Sequence, residues 1–296
     1  MSTISFAQDN NFTIKDVTIN PLIEGTLLLP KAIEKPNLII IIAGSGPTDR
    51  DGNQNFMMSN SLKKLAEGLT AKNIATFRYD KRIVKQIKVG NIDKNILFDD
   101  FVADAKSVLA YFKNLKHYNN IYIAGHSQGS LVGMLAAQDQ ADGFISIAGA
   151  GQTIDKVIIE QVEKTAPMFL KDTKRIFKVL KSGKNTTDFP PALASIFNKE
   201  VQPFIANWMS YNPQVVLKTL DMPILIINGT KDLQVSEAEA QLLKVAVPAA
   251  ALKIVDNMNH VLVPIEGDRL ENSKSYNEKS RALASELIES IVEFTK

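Results

Sequence analysis

The chain has 296 residues, of which 45% are hydrophobic and 22% charged, the composition of an ordinary globular protein. Its 34 basic and 32 acidic residues leave a net charge of +2, which argues against nucleic-acid or membrane binding through a basic surface. No apolar run reaches the roughly 18 residues of a membrane-spanning helix, and the absence of cysteine excludes disulfides, thiolate metal sites and a cysteine nucleophile. We expect no nucleic-acid partner and no stable membrane insertion; the composition is compatible with an oligomer.

The N-terminal segment bears on the cellular compartment. Residues 1–8 carry no positive charge and no long apolar stretch, so as they stand they do not form a signal peptide. Residues 4–8 would fit the end of a secretion signal whose earlier part had been removed. We expect a cytoplasmic protein, or a periplasmic or secreted one if such a signal preceded this sequence.

Predicted strands and helices alternate along most of the chain. Two short strands, residues 12–19 and 23–29, precede an unbroken run of leucine and isoleucine at Leu38–Ile42, which is typical of a strand buried on both faces of a parallel sheet. The remaining predicted strands are residues 74–79, 121–124, 144–148, 223–227 and 252–255. Amphipathic helices are predicted between most of them, and another at the C-terminus. This alternation predicts a doubly wound α/β sheet.

One connection is much longer than the others. More than 70 residues separate the strands at 144–148 and 223–227, whereas a crossover between parallel strands needs only about a dozen. The segment contains three predicted helical pieces, residues 153–164, 169–181 and 191 to about 209. It is either additional core or a lid above the carboxyl ends of the strands, where α/β sheets bind ligands, and we expect the lid. The predicted organisation is a core domain of residues 1–151 and 214–296 with a helical cap at 152–213.

The pattern G-x-S-x-G lies between a predicted strand and a predicted helix. Residues 121–130 read Ile-Tyr-Ile-Ala-Gly-His-Ser-Gln-Gly-Ser. A sharp strand-to-helix turn holds its serine in strained backbone geometry with the hydroxyl exposed, and the flanking glycines are needed where strand and helix approach closely. Ser127 is therefore the predicted nucleophile. The alternative is a glycine-rich turn with an incidental serine.

A serine hydroxyl needs a base, and the base needs an orienting acid. On a sheet of this kind the partners follow the serine in the order Asp or Glu, then His. Of the three histidines, His117, His126 and His260, only His260 follows the serine, and it is the predicted base. His117 is expected in a solvated loop. Asp232, shortly after a predicted strand, is the preferred acid, and Asp256 is the alternative.

The developing negative charge also needs donors. The amide of Gln128, the residue after the serine, is one predicted oxyanion donor; the amide of Ser45 is the second, with Gly46 next. The loop that contains Ser45 does not fit a dinucleotide site, because Asp49 stands where G-x-G-x-x-G requires glycine. We expect Arg50 to pin this loop to a neighbouring aspartate rather than to contact substrate.

Residues next to the serine and in the long insertion are candidates for substrate contact. We expect Gly46 and His126 beside the serine, and Phe204 and Trp208 from the insertion, to contact a substrate. No group of carboxylates and histidines has convincing metal-ligand spacing. We therefore predict no metal.

Two stretches carry a resemblance to a known family. Residues 44–52, Gly-Ser-Gly-Pro-Thr-Asp-Arg-Asp-Gly, and 125–130, Gly-His-Ser-Gln-Gly-Ser, resemble bacterial serine esterases of the α/β-hydrolase superfamily, in the branch grouped with serine aminopeptidase-like hydrolases. The resemblance spans nearly the whole chain. It implies a mostly parallel eight-stranded sheet flanked by helices, a helical cap before the acid strand, and hydrolysis of acyl substrates without a cofactor. It also supports Ser127, Asp232 and His260 as a triad.

One motif departs from the pattern of lipase-type relatives. They carry His-Gly-Gly-Gly in the oxyanion loop, whereas residues 43–46 here read Ala-Gly-Ser-Gly. The resemblance therefore supports the triad but does not assign the oxyanion amides.

The predicted function is hydrolysis of carboxylic esters with small to medium, largely apolar acyl groups, through an acyl-enzyme intermediate. The partner is then a small-molecule acyl ester. An aminopeptidase or amidase is the alternative; it would need an acidic anchor for a substrate ammonium, for which Glu160, Glu163 and Asp188 are candidates. A non-catalytic binding protein fits less well, because all three triad residue types are present in the required order.

Overall fold

The computed structural model describes residues 11–138 and 140–296, so residues 1–8, considered above as a leader remnant, lie outside the described part. An eight-stranded sheet occupies its centre. The strands are β1 (Phe12–Asn20), β2 (Ile23–Pro30), β3 (Leu38–Ile42), β4 (Ala75–Tyr79), β5 (Ile121–His126), β6 (Gly143–Ile147), β7 (Ile224–Gly229) and β8 (Ala251–Val255). Each lies within two residues of its predicted bounds.

The sheet has the order β1-β2-β4-β3-β5-β6-β7-β8. β1 pairs antiparallel with β2, and β2 pairs antiparallel with β4. All other neighbouring strands are parallel, and Ile41 of β3 stands opposite both Arg78 of β4 and Ala124 of β5. The predicted mostly parallel, eight-stranded sheet is confirmed.

Helices connect the strands and cover both faces of the sheet. They are α1 (Ser61–Thr70), α2 (Arg82–Val89), α3 (Phe98–Leu115), α4 (Gln128–Ala137), α5 (Ile154–Thr165), α6 (Leu170–Lys181), α7 (Ala194–Phe197), α8 (Gln202–Met209), α9 (Pro213–Leu217), α10 (Glu237–Ala246), α11 (Arg269–Ser275) and α12 (Ser285–Phe294). Within the described ranges, none of these helices combines the length and apolar character that crossing a bilayer requires.

The central strand β3 explains how the two helical layers are held. Leu38, Ile40 and Ile42 pack on one face with residues of α3 and α4, while Ile39 and Ile41 pack on the other with residues of α1 and α12. All five side chains are at most 2% exposed. Burying each such side chain stabilises the fold by about 1.5–3 kcal/mol. The uninterrupted apolar run is thus a consequence of a strand that has no solvent-facing side.

The carboxyl ends of the parallel strands bring the predicted site residues to one edge of the sheet. The loop at 43–47 follows β3 directly, and Ser127 follows β5. Asp232 comes three residues after β7, and His260 five residues after β8. Parallel neighbours end at the same edge, so four distant stretches of the chain converge there.

The long connection between β6 and β7 contains the helices α5 to α8, residues 154–209, called the insertion below. It has a small apolar core of its own, which includes Ile176, Phe177, Phe197 and Ile205. The third predicted helical piece is interrupted between α7 and α8. There the Asn198 side chain accepts hydrogen bonds from the backbone at 200 and 201, which competes with a continuous helix.

Candidate active site

The serine turn has the geometry that its sequence predicts. Ser127 lies between β5 and α4 with φ 54° and ψ −121°, a strained backbone for a residue with a side chain. A Cβ on Gly125 would lie 2.1 Å from the carbonyl oxygen of Gly129, and a Cβ on Gly129 would lie 2.4 Å from that of Ile42. Only glycine fits at either position, so the strand and the helix can approach closely and hold the serine between them.

The imidazole of His260 contacts the predicted acid. Its Nδ1 lies 2.7 Å from Oδ2 of Asp232, and both side chains are almost completely buried. Since a carboxylate only accepts hydrogen bonds, Nδ1 is the donor; in the neutral ring this leaves Nε2 as an acceptor. The second carboxylate oxygen of Asp232 accepts the backbone N–H groups of Gln234 and Val235 at 2.8 and 2.9 Å. These bonds fix the orientation of the carboxylate.

The alternative acid is engaged elsewhere. Asp256 is exposed, and its Oδ1 accepts hydrogen bonds from the Thr230 hydroxyl at 3.0 Å and from the Asn257 amide at 2.9 Å. The structure therefore brings Asp232, and not Asp256, to His260. Ser236 occupies the N-cap position of α10 but makes no side-chain capping bond. The turn before this helix is held by the two hydrogen bonds that Asp232 accepts.

His126 links the serine turn to the segment that carries His260. Its Nε2 donates to the carbonyl oxygen of His260 at 2.8 Å, and the two rings are 4.8 Å apart. Burial, and to a lesser degree the neighbouring His260, lowers the pKa of His126 to about 3, so the ring stays neutral. His117, in contrast, is exposed in the loop before β5, as predicted.

The loop after β3 lies against the serine. A Cβ on Gly44 would be 3.2 Å from Cβ of Ser127. The carbonyl oxygen of Ser45 accepts the Thr48 hydroxyl at 2.7 Å, and Gly46 adopts a left-handed backbone with φ 75°. Ser45 and Gly46, the two residues predicted to face the oxyanion, line the same cavity as Ser127.

Arg50 pins this loop to the sheet, as predicted. Its backbone N–H and its Nη2 both donate to the carboxylate of Asp80, at 2.8 and 3.0 Å, and the guanidinium also contacts Glu24 at 3.3 Å. Burial raises the pKa of Asp80, but the hydrogen bonds from Arg50 and Lys88 outweigh it and hold the pKa below its usual value. Asp80 therefore stays charged and keeps the loop in place.

A cavity of about 660 Å³ opens between the serine turn and the insertion. Its lining is mainly apolar and includes Leu131, Val157, Ile158, Val201, Phe204 and Trp208. Ser45, Gly46, Ser127 and Gln128 line it at the serine turn, and polar side chains such as Lys94, Gln161 and Glu200 also line it. Of the four predicted substrate contacts, Gly46, Phe204 and Trp208 are among the described residues that line the cavity, and His126 is not. His126 lies behind the turn, where it bonds to the backbone of His260.

Aromatic side chains attach the insertion to the core. Trp208 of α8 stacks on Phe98 of α3, with ring centroids 5.5 Å apart and an interplanar angle of 5°. Phe204 packs against Phe101 at 5.4 Å. Such pairs contribute about 0.5–1.5 kcal/mol beyond the area they bury. They place α8 directly over the cavity.

Polar contacts at the edge of the same interface join α3 to the insertion and to the residues just after it. Asp99 accepts hydrogen bonds from the Tyr211 hydroxyl at 2.6 Å and from the Asn207 side chain at 3.1 Å. The hydrogen bond to Asp99, followed by partial burial, raises the pKa of Tyr211 to about 12. Lys94 and Glu200 form a further ion pair at 2.8 Å, which is exposed.

The two ends of the insertion are joined at Gly151. The Gln214 side chain donates to the Gly151 carbonyl oxygen at 3.0 Å, and Glu239 of α10 accepts the backbone N–H groups of Gly151 and Gln152 at 2.7 and 2.9 Å. Glu239 is buried and was not singled out in the sequence. Its position on an ordinary amphipathic helix gives no local signal of this contact.

Lys81, a buried lysine two residues after β4, was likewise not identified from the sequence. Its ammonium group donates to the carbonyl oxygens of Gly44 and Gly46 and lies 5.3 Å from the centre of the Phe101 ring. Desolvation by burial lowers its pKa to about 7. A lysine at the carboxyl end of a parallel strand was the available signal, since that edge also carries the site.

Comparisons with known proteins agree with this architecture. Esterase EstD of Thermotoga maritima is 26% identical over 278 residues, which cover 88% of this chain; the chain spans 63% of the length of that relative. The solved structure of Est1E from Butyrivibrio proteoclasticus has a TM-score of 0.59 at 17% identity, covering 95% of this chain and 98% of that one. Carboxyl esterase 2 from the fungus Tuber melanosporum has a TM-score of 0.58 at 13% identity, covering 100% and 90%.

The structural neighbours share the α/β-hydrolase fold, and at these identities they establish the fold alone. The family model described as "Serine aminopeptidase, S33" matches residues 57–268, which is most of the chain and includes the serine, aspartate and histidine described above. The chain therefore belongs to the serine aminopeptidase S33 family of α/β-hydrolases.

Proposed function

We propose that the protein is a serine hydrolase that cleaves carboxylic esters through the triad Ser127, Asp232 and His260. The observation that carries the proposal is the 2.7 Å contact between His260 and Asp232, at the sheet edge where the strained serine turn borders an apolar cavity. Membership of a hydrolase family and the 26% identity to an esterase support the same reaction class.

In the proposed mechanism His260 acts as the base and Asp232 orients it. Nε2 of His260 takes the proton of the Ser127 hydroxyl while Oγ attacks the ester carbonyl carbon. The tetrahedral intermediate collapses, and the alcohol leaves with the proton from His260. Water, activated by the same imidazole, then attacks the acyl-enzyme and releases the acid, which restores the serine.

The oxyanion of both tetrahedral intermediates is proposed to bind the backbone N–H groups of Gln128 and Ser45. Gln128 begins α4, so its amide points out of the positive end of the helix. Ser45 lies in the loop that contacts the serine turn. Each such donor contributes about 2.7–4 kcal/mol of transition-state stabilisation.

The proposed substrates are uncharged esters with a small to medium apolar acyl or alcohol group. A cavity of about 660 Å³ lies within the range of about 300–1,000 Å³ usual for small-molecule sites. Its aromatic side chains from α8 provide apolar contacts for an alkyl chain. The proposed role of the segment 152–213 is that of a lid, which excludes water from the acyl-enzyme and sets the chain length accepted.

An aminopeptidase remains the alternative within the family. It requires a carboxylate to bind the substrate ammonium, and none of the three candidates is among the described residues lining the cavity. Asp188 pairs with Arg175 at 2.7 Å, Glu160 accepts the Gln152 side chain at 2.7 Å, and Glu163 is exposed. Two further carboxylates, Asp93 and Glu200, do line the cavity, but Glu200 pairs with Lys94 at 2.8 Å and Asp93 accepts the Asn95 amide at 2.9 Å. Each carboxylate considered is thus outside the cavity or already engaged, which favours the ester hydrolase.

The test uses substrate panels and a covalent probe. We expect turnover of p-nitrophenyl butyrate and hexanoate, a fluorophosphonate adduct on Ser127, and loss of at least about 10³-fold in kcat for Ser127→Ala. Faster cleavage of aminoacyl anilides than of these esters would support the aminopeptidase instead. Failure on both panels, together with no adduct on Ser127, would refute catalysis by this site.

A further inference from the structure

We propose that Lys81 is a positioning residue for the reaction, which holds the loop at 43–47 so that the Ser45 amide points at the oxyanion. The inference rests on the proposed function of Ser127. The geometry that supports it is the pair of hydrogen bonds from the Lys81 ammonium to the carbonyl oxygens of Gly44 and Gly46.

The orientation of one carbonyl fixes the orientation of the next amide. The chain has no cis peptide bond in its described part, and in a trans peptide the C=O of one residue and the N–H of the next point in opposite directions. The Gly44 carbonyl points at Lys81, so the Ser45 N–H points to the opposite side. Gly44 itself packs against Ser127, since a Cβ on Gly44 would lie only 3.2 Å from that of the serine. Lys81 thus holds the loop on the side away from Ser127, while the Ser45 N–H faces the nucleophile.

Arg50 holds the loop farther along the chain, but residues 44–46 do little to fix their own backbone. Gly44 and Gly46 have no side chains to restrict them, and Gly46 lies in the left-handed region at φ 75°. The Thr48 hydroxyl fixes the intervening Ser45 carbonyl, at 2.7 Å. Lys81 and Thr48 therefore hold three consecutive carbonyl oxygens between them. Flexible glycines allow the close approach to the serine, and the ammonium supplies the rigidity that they lack.

The position of Lys81 is unfavourable for stability, which argues that it serves another purpose. It is 4% exposed, and burying a cationic group away from water costs stability. Burial lowers its pKa to about 7, and two neutral carbonyls and the Phe101 ring only partly replace its water. Perturbed ionisable groups of this kind concentrate at functional sites.

The test compares Lys81→Met, which keeps the length of the side chain without donors, with Lys81→Gln, which keeps two N–H donors on a shorter stem. Lys85→Met is the matched control, because Lys85 lies on the same helix and forms only a partly exposed ion pair with Glu24. We expect Lys81→Met to lower kcat for p-nitrophenyl butyrate about 10- to 100-fold with KM within about twofold of wild type. Lys81→Gln should retain more of kcat, and the control should stay within about twofold.

An inhibitor series separates positioning from a general loss of structure. An alkyl trifluoromethyl ketone forms a tetrahedral adduct with an oxyanion, so its Ki should rise by about the same factor as kcat falls. The Kd of a non-reactive alkyl methyl ether of equal length should stay within about twofold. Equal kcat in all variants, or lower kcat with an unchanged trifluoromethyl ketone Ki, would overturn the inference. Failure of both Lys81 variants to fold would assign Lys81 to stability alone and would also overturn it.

Failure of the proposed function gives a different result. In that case the wild-type protein itself would hydrolyse no ester and Ser127 would take no fluorophosphonate label. An active, labelled wild type with a fully active Lys81→Met variant would refute the role of Lys81 and leave the triad intact.

Discussion

The serine turn and the insertion both border the cavity, and they are held in place in different ways. The turn depends on backbone atoms in contact, since a Cβ on Gly125 or Gly129 would overlap main-chain atoms of the neighbouring segments. The insertion depends on side chains, chiefly the stacking of Trp208 on Phe98 and the hydrogen bonds to Asp99. Backbone contacts leave no room for substitution, whereas side-chain contacts can be exchanged one at a time. We therefore expect the serine turn to tolerate few substitutions, whereas substitutions in the insertion can change which substrates fit the cavity.

The largest expected effect is on stability, from a methyl group in the serine turn. Gly129→Ala would place its Cβ 2.4 Å from the Ile42 carbonyl oxygen and 2.7 Å from that of Ala43. We expect a loss of more than about 3 kcal/mol in the free energy of unfolding, or no soluble protein, by urea denaturation. Gly90→Ala is the control: its Cβ meets nothing within 4 Å, and its φ of 70° costs only about 1–2 kcal/mol. Equal urea midpoints would contradict the comparison.

The next largest effect is expected on kcat, from the replacement of one carboxylate oxygen of Asp232 by an amide group. Asp232→Asn removes the charge that orients His260 and should lower kcat by about 10³- to 10⁴-fold with little change in KM. Asp256→Asn provides a matched control, since that carboxylate bonds to Thr230 and Asn257 instead. Steady-state kinetics on p-nitrophenyl butyrate measure both. A larger loss in Asp256→Asn would show that the assignment of the acid is wrong.

In the insertion, we expect a change of specificity rather than a loss of chemistry. Trp208→Ala removes a wall of the cavity and the ring that stacks on Phe98. The ratio of kcat/KM for p-nitrophenyl octanoate to that for the acetate should fall about tenfold, because the longer chain loses apolar contact. Met168→Ala, at a residue of the insertion that is 72% exposed, should leave the ratio unchanged. An unaltered ratio in Trp208→Ala would show that Trp208 does not contribute to the selection of acyl chain length.

The smallest expected effect concerns the hydrogen bond at the edge of the insertion. Asp99→Ala should lower the pKa of Tyr211 from about 12 towards its ordinary value of 10.0, because the bond to the carboxylate favours the neutral phenol. A pKa raised on folding contributes stability below pH 10 that is lost as the pH rises towards 12. Phenolate absorbance during alkaline titration measures the shift, with Tyr211→Phe identifying the transition. A titration curve identical to that of the wild type would show that Asp99 does not control Tyr211.

Much of the core could be predicted because its signals are local. The apolar run of β3 predicts a buried strand, and the pattern G-x-S-x-G between a strand and a helix predicts that Ser127 is the nucleophile. Both Asp232 and Asp256 follow a predicted strand, and Asp232 was preferred because Asp256 lies only four residues before His260; the 2.7 Å contact agrees with that preference.

Other features depend on contacts between distant segments and have no local pattern. Lys81 and Glu239 hold backbone groups more than 30 residues away. No local pattern marks Glu239, and the place of Lys81 after a strand does not reveal which groups it bonds to. The break between α7 and α8 depends on how Asn198 bonds to the following amides, which a helical pattern of apolar residues does not reveal. His126 was predicted to contact substrate because of its place beside the serine, but its ring direction is set by the carbonyl of His260.

The joining of the two ends of the insertion at Gly151 has a consequence for how this protein can diversify. The Gln214 side chain bonds to the Gly151 carbonyl oxygen and so brings the two ends of the insertion together, while Glu239 fixes the departing end to α10. Replacing the insertion with a shorter or longer segment leaves the distance between its attachment points unchanged, so the sheet need not adjust. We therefore expect changes within this segment to alter the cavity without moving the sheet edge that carries Ser127.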